Sequence, residues 1–395
     1  MTRAGNACQP SARVPLVGKK IAIACCGLGH IARGIETWAR DLAELLHSVG
    51  VNVTLFKGAG KKTTSYEVVV PCWRRNSRLT QLVSGHKLPG IWRTPLSSPY
   101  NLESYTFYKR LVPYLKNDYD LIHMQDPLVA QYLLKAKRRH RIHPAVILAN
   151  GTEESHDFLA QFDFLQELDS FGLQDLAKEG LQKPGWFNVP NFVDSTKFHP
   201  GNRLDARKKL GLPEGAIIIL GVGAIQRQVK RTDWLIQEFA RFKRIYQGPA
   251  VLVIAGASTR ESAELKRLAF EKIGSDCRIF EDLDRETMPS IYQAADIYAN
   301  LSVEGIFGLS TAEAAATGLP CVMHDWKRAM WVAGPRATIV DMKGEGMLAA
   351  GLAKLASSED TRREISMVTR KWILNNLSRD VVLARYIQMY EAILK

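Results

Sequence analysis

Hydrophobic positions along the chain follow two alternating periods. Short apolar runs with many β-branched residues are each followed by a stretch in which apolar residues recur every three or four positions, as on one face of a helix. The run Lys20–Cys26, for example, precedes a helical face that extends from Ile31 to Val49. Strands and helices that alternate in this way predict parallel βαβ units in a doubly wound sheet.

The pattern occurs in two series, separated by Pro190–Gly201, which has the composition of a linker. After Lys20–Cys26, further strands of the first series are predicted at Val51–Phe56, Asp120–His123 and Ala145–Ala149. Strands of the second series are predicted at Ala216–Gly221, Val251–Ala255, Arg278–Phe280, Ile297–Leu301 and Pro320–Met323, with helices that include Ser262–Ile273, Thr287–Ala295 and Ser310–Thr317.

Two similar α/β domains follow from these two series. We expect a leader at residues 1–17, an N-terminal Rossmann-like domain at 18–199, and a C-terminal Rossmann-like domain at 200–378. A final amphipathic helix at 379–395 could pack back on the first domain. Ligands of such sheets bind at the carboxyl ends of the strands, so a cleft between the domains is the predicted site.

Composition and cysteine use indicate a cytoplasmic globular protein. Hydrophobic residues make up 46% and charged residues 24% of the 395 positions, and no apolar run approaches the ~20 residues that span a bilayer. The leader has no apolar core of the kind found in secretion signals. The 6 cysteines form no CxxC pair, and we expect buried, reduced thiols.

The net charge of +13 draws attention to basic clusters at Lys57–Lys62, Arg74–Arg75 and Lys135–His143. These clusters could form a face that meets anionic phosphate or the inner face of an anionic membrane, or they could be part of a generally basic, solvated surface. They lack interleaved aromatic residues and match no nucleic-acid-binding module, which argues against nucleic acid as a partner.

A glycine-rich turn follows the first predicted strand, at Gly27-Leu28-Gly29. Glycine lets the backbone approach a phosphate closely, and the helix after it presents free N–H groups. The segment also fits a dinucleotide-binding fingerprint, which requires an acidic residue at the end of the second strand. Lys57 stands at that end, so the sequence disfavours an NAD-dependent oxidoreductase.

Two charged segments of the second series carry further candidate chemistry. Arg227 and Lys230 follow its first strand and could neutralise a departing diphosphate, or they could be a solvated basic helix start. Glu304 and Glu313 flank the start of a predicted helix, where a carboxylate suits the hydroxyls of a sugar or ribose. Alternatively, Glu313 could simply favour the helix N-terminus.

The segment EGIFGLSTAEAAATGLPCV resembles the donor-binding signature of retaining GT-B glycosyltransferases of family 4, the "glycosyl transferases group 1" type. Four more segments resemble signatures of this family and stand in the family's order: GLGHIARGIETWARDLAELL, VPNFVDSTKFHP, VGAIQRQVKRTDWLIQEF and IYQAADIYANLS. The resemblance extends over nearly the whole chain. It implies the α/β GT-B fold, with two Rossmann-like domains that face a cleft, and sugar transfer with retention from a nucleotide-diphosphate sugar. In that fold the domain at 18–199 would be on the acceptor side, and the domain at 200–378 would bind the nucleotide-sugar donor.

The resemblance also implies roles for individual residues. Lys230 would contact the donor diphosphate, Glu313 would hold the nucleotide ribose, and Glu304 would bind hydroxyls of the donor sugar. The implied donor-binding set is Gly27, Gly29, Arg227, Lys230, Glu304, Gly308, Leu309, Ser310 and Glu313. The implied catalytic residues are Glu304, Lys230 and Arg227.

Three positions depart from the family pattern. Glu304 and Glu313 are separated by one residue more than usual, and the usual position of the phosphate arginine is Ala224, so Arg227 would have to substitute for it. Asn150 stands where many members have a histidine near the reaction centre. This substitution leaves His156 as a further catalytic candidate, with His123 also nearby.

The resemblance implies neither a cofactor nor a metal. Asp282-Leu283-Asp284 spells a DxD motif but lies where a turn is expected. The predicted function is sugar transfer to a glycan, lipid-linked or small-molecule acceptor, as in polysaccharide biosynthesis. A catalytically silent nucleotide-sugar-binding protein and another GT-B enzyme, such as a nucleotide-sugar epimerase, remain alternatives.

Overall fold

The computed structural model describes residues 16–85, 94–116, 118–303, 305 and 307–395. The chain divides into two compact units. One unit comprises Met1–His30, Ala39–Ile147 and Ile387–Lys395, and the other comprises Ile31–Trp38 and Leu148–Tyr386. No helix within the described ranges is both long enough and apolar enough to cross a bilayer.

The first sheet has seven strands in the order β3-β2-β1-β4-β5-β6-β7. Its strands are β1 (Lys20–Cys25), β2 (Asn52–Lys57), β3 (Glu67–Val69), β4 (Leu121–Met124), β5 (Ala145–Asn150), β6 (Phe164–Glu167) and β7 (Trp186–Asn188). The strand β1 pairs in parallel with both β2 and β4, so their carboxyl ends lie at one edge. The helices of this part of the chain are α1 (Gly34–Ser48), α2 (Arg78–Val83), α3 (Pro99–Leu111), α4 (Pro127–Arg138), α5 (His156–Leu159) and α6 (Ser170–Lys178).

The second sheet has six strands in the order β10-β9-β8-β11-β12-β13. Its strands are β8 (Ile217–Val222), β9 (Ala250–Gly256), β10 (Cys277–Glu281), β11 (Ile297–Asn300), β12 (Cys321–His324) and β13 (Thr338–Val340). Neighbouring strands of this sheet pair in parallel. The remaining helices are α7 (Arg203–Leu210), α8 (Thr232–Ile245), α9 (Ser262–Ile273), α10 (Met288–Ala294), α11 (Leu309–Ala316), α12 (Lys327–Ala333), α13 (Met347–Ala356), α14 (Glu359–Asn376) and α15 (Arg379–Ile393).

The apolar periodicity explains how this second sheet is covered. Leu235, Phe239 and Phe242 lie on one face of α8 and are all buried in the core with Ile219 and Leu252, which come from the neighbouring central strands β8 and β9. Both faces of the central strands are covered, so these strands are almost continuously apolar, as is typical of parallel sheets.

The last helix, α15, supplies two buried tyrosines to the core. The Tyr386 hydroxyl accepts a hydrogen bond from Trp38 Nε1 at 2.9 Å and lies 3.0 Å from Gln166 Nε2. The Tyr390 hydroxyl lies 2.8 Å from His123 Nδ1. The helix was predicted at this position from its amphipathic pattern.

The predicted fold class, two parallel-sheet α/β domains, is confirmed. The strands predicted from the sequence lie within a residue or two of their predicted ends. The helix predicted from Ile31 begins at Gly34, and the one predicted at Ser310–Thr317 spans Leu309–Ala316. The short strands β3, β6, β7 and β13 were not predicted.

Candidate functional site

Lys230 lies at the carboxyl end of the central strand β8. Its side chain crosses Gly223, where an added Cβ would come within 2.9 Å of Lys230 Cδ. The ammonium group lies 3.4 Å from Ser302 Oγ, and no described carboxylate pairs with it. Burial lowers the pKa of this lysine below its ordinary value because the charged form is desolvated. The site therefore holds a cation whose charge is not matched by a described acid.

Hydrogen bonds connect this lysine to the first turn of α11. The backbone N–H of Ser302 donates to Asn300 Oδ1 at 3.0 Å, and Asn300 Nδ2 donates to Thr311 Oγ1 at 3.0 Å. Gly308 is the N-cap of α11, and no side chain caps the helix there. Free N–H groups and the helix dipole at such an end favour an anion. Lys230 and the start of α11 thus form a local environment suited to negative charge.

Glu313, on the same helix, has a buried carboxylate with two protein partners. Arg285 Nη1 donates to its Oε1 at 2.5 Å, and the Tyr292 hydroxyl donates to its Oε2 at 2.7 Å. Burial and the neighbouring Glu313 charge raise the pKa of Tyr292 well above its ordinary value, so the hydroxyl remains a donor. Neither partner was identified from the sequence, since both lie more than 20 positions away, at and before α10.

Arg227 lies in a cluster of acidic side chains. Its guanidinium donates to the Glu264 carboxylate at 2.8 and 3.2 Å and lies 3.7 Å from Glu261 Oε2. The hydrogen bond to Glu264 raises the pKa of Arg227. A phosphate role for Arg227 stays a prediction, and it would require the guanidinium to leave these partners.

The glycine-rich turn after β1 packs on the turn after β2. Gly29 has φ +99°, and an added Cβ would lie 2.1 Å from Ala59 O. The backbone N–H of Ala59 donates to Leu28 O at 3.1 Å. Only glycine fits this close approach of two backbones, so packing alone explains the residue type at this position. The predicted contact of Gly27 and Gly29 with a phosphate stays a prediction.

The end of β2 carries a buried ion pair. Lys57 Nζ lies 2.7 Å from Glu67 Oε2, and the same carboxylate accepts from the backbone N–H of Thr63 at 2.7 Å. The hydrogen bonds from Lys57 and Thr63 outweigh burial and lower the pKa of Glu67. A lysine therefore occupies the place where a dinucleotide-binding fold would present an acid to the ribose.

Asn150, at the end of β5, contacts a buried acid that sequence reasoning missed. Asn150 Nδ2 donates to Glu167 Oε1 at 2.8 Å, and Glu167 Oε2 has no hydrogen-bond partner in the described structure. Burial raises the pKa of Glu167 to about 7. Of the two histidines considered from the sequence, His156 pairs with Glu179 at 2.7 Å and His123 contacts the C-terminal helix. A catalytic role for His156 stays a prediction.

Two further acidic residues, Glu304 and Asp282, were considered from the sequence. Glu304 lies outside the described residues. Asp282 accepts hydrogen bonds from the Ser258 backbone N–H at 2.9 Å and from its hydroxyl at 2.5 Å, which lowers the pKa of this carboxyl. Within the described ranges, no three His, Cys, Asp or Glu side chains group in a way that could hold a metal ion. Asp282 therefore joins the segment after β10 to the segment after β9.

Two family models match the chain. Residues 202–372 match the model described as Glycosyl transferases group 1, and residues 32–173 match the model described as Glycosyltransferase Family 4. Together these ranges cover most of both sheets and their helices.

Curated relatives share part of the sequence. The D-inositol 3-phosphate glycosyltransferase of Nocardia farcinica is 34% identical over 143 residues, which is 35% of this chain and 32% of the relative. The enzyme of that name from Kribbella flavida is 30% identical over 232 residues, or 55% of this chain and 49% of the relative. The matched stretches thus span about a third to a half of these relatives.

Solved structures share the fold over nearly the whole chain. Sucrose-phosphate synthase from Thermosynechococcus elongatus has a TM-score of 0.76 at 18% identity, with 94% of this chain and 98% of the other covered. The HepE protein of Anabaena, solved with UDP and glucose, has a TM-score of 0.72 at 13% identity, with 95% of this chain and all of the other (100%) covered. At these identities the similarity is one of fold.

Proposed function

The chain belongs to the family 4, group 1 type of GT-B glycosyltransferases, and from this membership we propose that it moves a sugar from a nucleotide-diphosphate sugar to an acceptor hydroxyl with retention at the anomeric carbon. The observation that carries the proposal is Lys230, a cation beside Ser302 and the start of α11 that pairs with no described carboxylate. A diphosphate supplies the missing negative charge. The fold neighbour HepE was solved with UDP and glucose, which supports a nucleotide-sugar donor.

The proposed roles follow the charges of the site. Lys230 stabilises negative charge that develops on the leaving diphosphate as its bond to the anomeric carbon breaks. The backbone N–H groups at Gly308, Leu309 and Ser310 face the same phosphate and sugar, and Glu313 accepts hydrogen bonds from the ribose. As the acceptor oxygen bonds to the anomeric carbon, its proton passes to an oxygen of the departing phosphate, so no separate general base is required.

The proposed acceptor is a glycan, a lipid-linked sugar or a small molecule. The curated relatives are named as D-inositol 3-phosphate glycosyltransferases, which favours testing a phosphorylated polyol among the small molecules. Of the basic clusters, Lys57 and Arg75 are paired with Glu67 and Glu103, whereas Lys61, Lys62 and most of Lys135–His143 are exposed. The exposed cations suit an anionic acceptor or an anionic membrane surface. Sedimentation with liposomes that contain anionic lipid, compared with neutral liposomes, tests the membrane part of this proposal.

We also propose that the reaction needs no metal. Asp282, the first acid of the DxD sequence, is committed to Ser258 in a turn, and Lys230 supplies positive charge for the diphosphate. Full activity after treatment with EDTA is the expected result. Activity that is lost with EDTA and restored by Mg²⁺ or Mn²⁺ would refute the metal-independent part.

The proposal is tested with a panel of UDP-, GDP- and ADP-sugars, by thermal shift and by release of the nucleoside diphosphate in the presence of candidate acceptors. Lys230→Ala and Glu313→Ala should each weaken nucleotide binding, whereas Lys272→Ala, which removes an exposed lysine from the last turn of α9, should not. The anomeric configuration of the product, read by NMR, tests retention.

The outcomes separate the candidate functions. Binding and release together support the transferase. Binding without turnover with any acceptor would indicate a catalytically silent relative, and conversion of the sugar without transfer would indicate an epimerase. A protein that none of the nucleotides stabilises would refute the proposal.

A further inference from the structure

The surroundings of the Glu313 carboxylate form a closed group of side chains. Arg285 and Tyr292, which donate to its two oxygens, are both in contact with the ring of Phe198. The Arg285 guanidinium carbon lies 5.0 Å from the ring centroid of Phe198, and the Tyr292 ring meets it edge-on with centroids 5.6 Å apart. We call these four residues the Glu313 cluster. Arg285 and Tyr292 lie close together in the sequence, whereas Phe198 lies more than 80 positions before them.

Burial within the cluster is uneven. Phe198 and Tyr292 are fully buried, and Glu313 is 3% exposed, whereas the Arg285 side chain retains 26% of its exposure. Tyr292 and Phe198 are thus held in the core, and Arg285 is the member of the cluster with the most exposed side chain. With one donor on each oxygen, the Glu313 carboxylate has a fixed direction.

The hydrogen bonds of Glu313 leave part of its capacity unused. An ionised carboxylate has about four lone-pair positions, two on each oxygen. Arg285 takes one on Oε1 and Tyr292 takes one on Oε2. One position on each oxygen remains, which matches two adjacent hydroxyl groups that each donate one hydrogen bond.

We propose that Arg285 and Tyr292 are positioning residues that orient the Glu313 carboxylate for the 2′- and 3′-hydroxyls of the nucleotide ribose, with Phe198 fixing both donors. This inference rests on the proposed function, because it takes a nucleotide as the ligand of this site. It assigns no chemical step to Arg285 or Tyr292, which act through Glu313. Without them the carboxylate loses its fixed direction.

If the Glu313 carboxylate is oriented in this way, the protein should bind ribonucleotides more tightly than 2′-deoxyribonucleotides. Binding of UDP and 2′-deoxy-UDP is measured by calorimetry, and the GDP and ADP pairs are treated in the same way so that the choice of base does not limit the test. The wild-type protein should bind the ribonucleotide roughly tenfold or more tightly, as expected for a hydroxyl that donates to a charged acceptor. Tyr292→Phe and Arg285→Gln should each reduce this ratio several-fold.

Two controls separate positioning from general packing. Tyr386→Phe removes another fully buried tyrosine hydroxyl, bonded to Trp38 and Gln166, and should keep the wild-type ratio. Thermal unfolding of every variant shows whether it is folded. If Tyr292→Phe does not fold, Arg285→Gln still tests the proposal because this side chain is partly exposed.

Each result has one meaning for the proposal. A lower ratio in the two cluster variants with an unchanged ratio in Tyr386→Phe supports it. Folded cluster variants that keep the wild-type ratio, or a wild-type protein that binds both sugar forms equally, would overturn it while leaving nucleotide binding intact. A wild-type protein that binds no nucleotide would overturn the proposed function as well.

Discussion

Replacing Lys230 with methionine should have opposite effects on stability and on binding. The ammonium group has Ser302 Oγ at 3.4 Å, it pairs with no described carboxylate, and burial lowers its pKa. Methionine retains most of the length of the side chain and its contact over Gly223 but removes the charge. The folded protein without ligand no longer bears the cost of desolvating a cation, whereas the phosphate loses its cationic partner.

The gain in stability and the loss of binding have different physical origins. A polar group buried without a full set of partners costs about 1–3 kcal/mol, and this lysine is only partly enclosed, so we expect a gain of about 1 kcal/mol in the free energy of unfolding. A hydrogen bond to a charged group contributes about 1.5–3 kcal/mol. Its loss should weaken nucleoside diphosphate binding by roughly 10-fold to 100-fold.

The stability gain should depend on pH with a definite sign. A lysine whose pKa is lower in the folded state disfavours folding while it is protonated in both states. The difference between Lys230→Met and the wild type should therefore be largest near neutral pH. It should shrink as the pH rises toward 10.5, the ordinary lysine value, where the unfolded chain also loses the proton.

Chemical denaturation of the ligand-free protein and calorimetry with UDP, GDP and ADP measure the two effects. Lys272→Met, at an exposed site, serves as the matched control and should change neither by more than about 0.5 kcal/mol. A Lys230→Met protein that is less stable than the wild type, or one that binds the preferred nucleotide with unchanged affinity, would contradict the account of this lysine.

Three further expectations follow from other parts of the fold. The pKa of Glu167 is raised to about 7, so the folded state binds this proton more tightly than the unfolded chain does. The free energy of unfolding of the wild type should therefore fall by about 1–3 kcal/mol as the pH rises from 4.5 to 7.5. Urea titrations should show this slope in the wild type and not in Glu167→Gln. Lys57→Met should cost about 3–5 kcal/mol in thermal and urea unfolding, since it leaves Glu67 buried without its cation, and adding Glu67→Leu should restore most of it. Gly29→Ala should destabilise the protein by at least about 1–2 kcal/mol, because the added Cβ would lie 2.1 Å from a backbone oxygen and the φ of this residue is +99°. Gly34→Ala, which has open space around it, should not destabilise the protein. Equal melting temperatures of the two variants would argue against the steric explanation.

The fold was largely predictable because its signal is local. The strand Ile217–Val222 and the helix Ser262–Ile273 are encoded by residues that are close together in the sequence, and both lie close to where they were predicted. The short strands β3 and β7 have three residues each, of which two are only partly buried. Such segments carry too little apolar periodicity to be distinguished from loops.

The candidate site was less predictable because its contacts are long-range. Lys230 was expected to carry positive charge near strand ends, and no described acid pairs with it. Arg227 had the same signal, yet Glu264, 37 positions away, pairs with it. Likewise, Asn150 could be recognised as a departure from the family pattern, but its partner Glu167 lies on the next strand and only the fold brings the two together.

The hydrogen bond between Trp38 and Tyr386 also bears on how the chain can fold as it is synthesised. These residues are 348 positions apart, so the tryptophan in the first helix leaves the ribosome long before the tyrosine whose hydroxyl accepts its hydrogen bond. A nascent chain that has folded only its N-terminal part therefore lacks this contact. The chain has 8 tryptophans, so the test uses a variant that keeps only Trp38. Its fluorescence during refolding should reach the native value only in a late phase, because contacts between residues far apart in the sequence form slowly.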